Sequence, residues 1–160
     1  MTDSPLDFEI RVAGQSDVAA LARLRTEWSD SDSDSEFERQ LSEWLADEGE
    51  RRTTWLAWAG ARAIGMASLF EYRRMPKPGR PDSRWGYLGN MFVSAELRNQ
   101  GVGSALLAAV IAATEERGYA RLVLSPSDAA VRFYQRAGFL APGESAGDRL
   151  LVRRAVGPTE

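Results

Sequence analysis

Cysteine and histidine are both absent from this chain of 160 residues, and the two absences together remove several chemistries. There can be no Ser-His-Asp triad, no thiolate nucleophile and no conventional zinc site. Disulfides are excluded as well, which is compatible with a cytosolic setting. Long apolar runs are missing: no stretch approaches the ~20 residues of a membrane span. Met1-Thr2-Asp3-Ser4-Pro5 has neither the basic start nor the apolar stretch of a signal peptide. A cytoplasmic protein without a membrane partner is expected. The net charge of -3 supplies no global basic field, so nucleic acid is not an expected partner. The 44% apolar fraction is ordinary for a globular chain of this length, and no linker divides it, so residues 1–160 are read as one domain.

What is present concentrates in Arg98-Asn99-Gln100-Gly101-Val102-Gly103-Ser104. This Arg/Gly loop follows a strand-like run, Tyr87 to Val93, and opens onto a segment with Leu106, Leu107, Val110 and Ile111 at helical spacing. Such a junction aims unpaired backbone N–H groups, and the positive end of a helix dipole, at whatever sits at the helix start. Between Leu97 and Thr114 the one charged residue is Arg98, so no carboxylate competes with an incoming anion. The loop reads as a diphosphate cradle. It is not a dinucleotide fingerprint, which would need glycine at Leu106, nor a P-loop, which would need lysine at Ser104. Alone it could be a strand-to-helix turn that uses two glycines.

Downstream, after the strand candidate Ala120 to Leu124, comes Ser127-Asp128-Ala129-Ala130-Val131-Arg132-Phe133-Tyr134-Gln135-Arg136-Ala137-Gly138-Phe139. Together the two segments resemble the GNAT superfamily of N-acetyltransferases. The first is similar to that family's acetyl-CoA motif, Q/R-x-x-G-x-G/A. The second is similar to its A-x-x-x-Y-x-x-x-G-F element, carried by Ala130, Tyr134, Gly138 and Phe139. The resemblance runs from about Phe8 to Val152, with specific motifs in the C-terminal half. Ser127 stands where the family often has asparagine.

Periodicity along the chain gives β-α-α-β-β-β-α-β-α-β, an α/β arrangement with a mixed sheet flanked by helices, and the resemblance implies that the sheet is central and mostly antiparallel. Phe8 to Val12 is the first strand. Ser16 or Asp17 caps a helix with Val18, Leu21, Ala22 and Trp28 on one face. Ser35 and Glu38 read as a capping box before a second helix carrying Phe37, Leu41, Trp44 and Leu45. Thr53 to Ala59 and Ala63 to Tyr72 form a hairpin through Gly60, followed by a loop with Pro76, Pro78, Gly79 and Pro81. Asp148 to Arg154 is the last strand, and Gly157 to Glu160 is expected to fray. Trp28, Trp44, Trp55 and Trp58 read as packing residues. Trp85, beside the proline-rich loop, is the aromatic candidate for a substrate wall.

The resemblance implies acetyl-CoA as co-substrate, no metal, and acyl transfer by direct attack of an amine within a ternary complex. Gly101 and Gly103 would admit a diphosphate close to the backbone, with Asn99, Gln100, Val102 and Ser104 completing the cradle, Arg98 adding charge, and Ser127 meeting the CoA arm. The backbone at Met91, Phe92 and Val93 would pair with pantetheine, one N–H polarising the thioester carbonyl. Tyr134 matches the position that donates to the departing thiolate.

The general base is less legible. At pH 7 a lysine-like amine must lose a proton at a cost of about 4.6 kcal/mol, whereas an α-amine needs only about 1. Glu71, Asp82 and Asn90 holding a water are the candidates. The run Ser29-Asp30-Ser31-Asp32-Ser33-Asp34-Ser35-Glu36 is either a solvated connection or an acidic rim that attracts a cationic acceptor. The expected activity is acetyl transfer to a primary amine on a small molecule or peptide. A catalytically silent acyl-CoA-binding or interaction module is the rival, and a homodimer is left open.

Overall fold

The computed structural model describes residues 4–32, 34–140 and 151–154. Its elements follow the expected order: β1 (Glu9–Val12), α1 (Val18–Ser29), α2 (Ser35–Glu48), β2 (Arg52–Ala59), β3 (Arg62–Arg73), β4 (Arg84–Val93), α3 (Val102–Glu116), β5 (Arg121–Leu124), α4 (Val131–Arg136) and β6 (Leu151–Arg154). The strands make one six-stranded sheet in the order β1-β2-β3-β4-β5-β6. Pairing is antiparallel for β1 with β2 and β5 with β6, and parallel for β4 with β5. Residues 148–150 of the expected last strand, and the 157–160 tail, lie outside the described residues. Among the described residues no helix is long and apolar enough to cross a membrane.

By contact the described chain groups into two compact units, drawn from Met1–Ser68 with Asn90–Val110 and from Leu69–Gly89 with Ile111–Glu160. In the first, α1 contributes Leu21 and Leu24 to a core shared with Leu56 of β2, Ala63 and Met66 of β3 and Phe92 of β4. Leu41 and Leu45 of α2 pack against it half-buried. Each fully buried leucine contributes roughly 2 kcal/mol of transfer free energy. Gly65 of β3 leaves room for α3. A Cβ there would stand 3.1 Å from Leu106 Cδ1, 3.2 Å from Val102 Cγ1 and 3.2 Å from the Phe92 carbonyl oxygen.

In the second unit, Gly86, Tyr87 and Leu88 of β4 lie in register with Leu122, Val123 and Leu124 of β5. β5 ends at Leu124 while β4 runs on to Val93. Gly86 has no space for a side chain, since an added Cβ would come within 2.6 Å of Leu69 Cδ1 and 3.1 Å of Tyr119 Cδ2. At the outer strands, the Arg11 guanidinium lies 3.2 Å from the Glu9 carboxylate on β1. Leu140 exchanges two backbone hydrogen bonds with Val152 of β6, at 2.9 and 2.8 Å.

The helix starts differ from expectation in instructive ways. Asp34, not Ser35, caps α2, its Oδ1 accepting from the Phe37 N–H at 2.8 Å. The aspartate is extended (φ -132°) while Ser35 is already helical, so the cap sits one residue earlier. Before α1, a short 3-10 turn at Gln15–Asp17 intervenes, and the Asp17 carboxylate accepts from the Gly14 N–H at 2.8 Å without capping α1 itself.

Candidate active site

The Arg98–Gly101 turn that ends in α3 is built from two left-handed residues, Asn99 (φ 63°) and Gly101 (φ 85°). Asparagine and glycine are the residues that tolerate this region. The Gly101 carbonyl accepts from the Ala105 N–H at 3.0 Å, which makes it the first acceptor of the helical ladder. α3 therefore begins at Val102, inside the Arg98 to Ser104 stretch that reads as a loop in the sequence. Val102 is drawn into the core with Leu106, and this burial fixes the earlier start. Gly103 and Ser104 accordingly belong to the first helical turn, and the N–H groups of Val102, Gly103 and Ser104 have no intrahelical acceptor. No acidic residue stands in that turn. Among the described residues a Cβ at Gly101 would meet nothing within 4 Å, so the space over this glycine is open to a ligand.

Arg98 enters the turn with its side chain held back against β4. Its Nε donates to the Val93 carbonyl at 3.2 Å, and its guanidinium carbon lies 5.8 Å from the centroid of the Phe92 ring. Gln100 is exposed at the turn's apex. Within β4, Asn90 adopts φ 53°, a left-handed residue inside a strand. Asparagine tolerates this conformation better than other side chains do, and here it interrupts the regular pleat of β4. Its side chain has no hydrogen-bond partner among the described residues. Met91 and Val93 are half-buried and the Phe92 side chain is buried.

Tyr134 lies in α4, 6% exposed, with its ring edge-on to Phe133 at 5.0 Å and to Phe139 at 5.7 Å between centroids. Phe139 is held by Gly138, whose φ of 94° turns the chain out of the helix, and by its N–H bond to the Tyr134 carbonyl at 3.2 Å. Burial alone pushes the Tyr134 hydroxyl up to about 12. No described residue hydrogen-bonds to it. Ser127 is exposed and starts the 3-10 turn that leads into α4.

Two base candidates are held in ion pairs. Glu71 Oε1 accepts from Arg84 Nη1 at 2.8 Å and from the Tyr119 hydroxyl at 2.9 Å. Burial, first of all, raises the Tyr119 hydroxyl above its ordinary value. Asp82 pairs with Arg73 at 3.2 Å. In the acidic run, Asp30 is the left-handed C-cap of α1 (φ 50°) and Asp34 is the N-cap of α2, while Asp32 is exposed.

The tryptophans divide. Trp55 is buried, and Trp58 packs half-buried on the core with Arg11 over its ring at 4.9 Å. Trp44 is half-buried under Arg52 at 4.8 Å. Trp85 leans on Tyr72 at 4.7 Å, 44° from parallel. Trp28 corrects expectation: it is 40% exposed, because it falls in the last turn of α1 beyond Leu24, and it stacks on Phe92 instead of entering the core. Sequence reading also missed Gly65. A lone glycine inside an apolar strand run, which marks close backbone approach, was the available signal.

Residues 18–139 match the model of the acetyltransferase (GNAT) family. Among solved structures, a predicted acetyltransferase of Clostridium acetobutylicum with acetyl-CoA superposes with TM-score 0.71 at 18% identity, over 89% of this chain and 96% of that one. A Trypanosoma brucei acetyltransferase gives TM-score 0.71 at 23% identity over 89% and 99%. Glucosamine-6-phosphate N-acetyltransferase from Arabidopsis thaliana gives 0.69 at 16% over 89% and 97%. At these identities the likeness is one of fold. No curated protein sequence matches the chain.

Proposed function

The chain belongs to the acetyltransferase (GNAT) family, and from that premise we propose that it moves an acetyl group from acetyl-CoA to a primary amine by direct attack within a ternary complex. The observation that carries this reading is the start of α3. Three N–H groups without intrahelical acceptors, a helix dipole, open space over Gly101 among the described residues and no acidic residue in the first turn suit a diphosphate. The Clostridium acetobutylicum relative, crystallised with acetyl-CoA, supports the same co-substrate.

In this reading Val102, Gly103 and Ser104 bind the diphosphate through their backbone, with Asn99 and Gln100 shaping the turn and Arg98 adding charge. Met91, Phe92 and Val93, on the part of β4 that continues past the end of β5, offer backbone groups to the pantetheine arm. One of their N–H groups polarises the thioester carbonyl and supports the oxyanion as the amine attacks. Ser127 contacts the CoA arm.

Tyr134 donates a hydrogen bond to the thiolate as it departs. With the hydroxyl at about 12 and a thiol near 8.5, complete proton transfer would be uphill by roughly 5 kcal/mol. Hydrogen-bond stabilisation is therefore favoured over protonation. For the base we favour Asn90, whose amide, without a hydrogen-bond partner among the described residues, can hold a water that accepts the ammonium proton. Glu71, engaged by Arg84 and Tyr119, is better suited to support the sheet. The acceptor is a primary amine of a small molecule or peptide; glucosamine-6-phosphate, named for the Arabidopsis thaliana relative, is one amine to include. Thiol release from acetyl-CoA across a panel of amines tests the proposal. Amine-dependent release is expected, whereas binding without turnover on any amine would leave an acyl-CoA-binding module.

A further inference from the structure

Four side chains from α1, β4 and the turn before α3 are linked by three successive ring contacts. The Arg25 guanidinium carbon lies 4.7 Å from the Trp28 ring centroid, and Arg25 Nη1 donates to Ser29 Oγ at 3.2 Å. Trp28 and Phe92 follow, with centroids 5.5 Å apart and planes 13° from parallel. Arg98 lies over Phe92 at 5.8 Å and is tethered by Nε to the Val93 carbonyl.

Burial does not explain the indole. Trp28 is 40% exposed, in the final turn of a helix whose core contacts are made by Leu21, Ala22 and Leu24. What the ring does cover is Phe92, and Phe92 is the platform on which the guanidinium of Arg98 rests. An exposed arginine is otherwise free to sample many rotamers, most of them pointing its charge elsewhere. A planar guanidinium held by an aromatic face and one carbonyl is pre-organised for an anion.

We propose that Trp28 is a positioning residue for co-substrate binding: acting through Phe92, it holds Arg98 ready for the phosphate groups of acetyl-CoA. This rests on the diphosphate reading of the turn before α3. Without the indole, one face of Phe92 opens to water, the phenyl ring gains rotameric freedom, and Arg98 loses its platform. The effect falls on co-substrate affinity and spares the chemical step.

The test is a double-mutant cycle read by calorimetric titration with acetyl-CoA, on wild type, Trp28→Ala, Arg98→Gln and the double variant. Each single change should weaken binding by about five- to tenfold, the range of one cation–π or charge-assisted contact. The double variant should bind about as weakly as Arg98→Gln alone, because the indole acts only through the arginine. Trp28→Phe, which keeps a stacking ring, should stay within about twofold of wild type, and kcat of Trp28→Ala at saturating acetyl-CoA should be near wild type. Trp28→Leu, apolar but unable to stack, serves the same cycle if Trp28→Ala does not fold. Losses that multiply in the double variant, or a Trp28→Ala protein that binds like wild type, overturn the positioning role while leaving the cradle intact. Wild type that takes up no acetyl-CoA overturns the cradle, and this inference with it.

Discussion

Gly65 and Leu106 face each other with too little room for an unstrained side chain between them: a Cβ on the glycine would sit 3.1 Å from Leu106 Cδ1, with Val102 Cγ1 and the Phe92 carbonyl oxygen each at 3.2 Å. The leucine can yield by a few tenths of an ångström, but a backbone carbonyl cannot do so without moving β4. Gly65→Ala should therefore cost about 1–3 kcal/mol, as overpacking of a tight core does. Because Val102 opens α3 and Phe92 lies on β4, the same change should also raise KM for acetyl-CoA. Thermal denaturation and an acetyl-CoA titration on the one variant check both effects.

Gly103 is the complementary case. As the second residue of α3 it has helical backbone, which valine can adopt without strain. Gly103→Val should fold and melt near wild type, yet lose acetyl-CoA binding because its side chain intrudes on the diphosphate. Calorimetric titration of the folded variant decides. Unaltered affinity would remove the first turn of α3 from the site.

Tyr134→Phe should lower kcat by roughly 10- to 1000-fold with acetyl-CoA affinity little changed, since it removes the hydroxyl and keeps the ring. The same hydroxyl has a signature in stability. Its pKa is raised to about 12 in the folded protein from about 10 in the unfolded chain, so the folded state holds its proton more tightly. The resulting stability, roughly 3 kcal/mol, is fully present below pH ~10 and is lost as pH rises toward 12. Tyr119, shifted in the same direction, adds to the decline. Urea unfolding measured from pH 9 upward should fall more steeply for wild type than for Tyr134→Phe.

Asp30, Asp32 and Asp34 test whether the acidic run steers a cationic acceptor. Replacing all three by asparagine keeps the backbone roles, because asparagine also accepts the left-handed C-cap at position 30 and the N-cap at position 34. If the carboxylates steer, kcat/KM for a cationic amine falls in wild type as the Debye length shrinks from about 30 Å at 0.01 M salt to about 8 Å at 0.15 M, and the triple variant shows a flatter curve. Parallel salt curves would reduce the run to a connection.

The element order was readable because apolar spacing alone decides it. Leu106 and Val110 of α3, and Leu21 of α1, are buried where the pattern put them. Local competition decided the rest. Asp34 and Ser35 are both good caps, and only the extended backbone of Asp34 separates them. Two glycines near the start of α3 suggested a longer loop, but the buried Val102 side chain pulls the helix start forward. Partners distant in sequence left no trace at all. Glu71 looked like a spare carboxylate because Tyr119, its second partner, is 48 positions away, and Trp28 looked like core because Phe92 is on another element.

The two outer strands of the sheet have a bearing on how the protein behaves when crowded. β1 is four residues long, and two of them are the paired Glu9 and Arg11. On the other side, Val152 of β6 already trades hydrogen bonds with Leu140. Another chain seeking to lengthen the sheet would have to displace a native bond on one side and desolvate two charges on the other. Runaway sheet-to-sheet polymerisation is thereby discouraged at both margins, and concentrated solutions should remain clear.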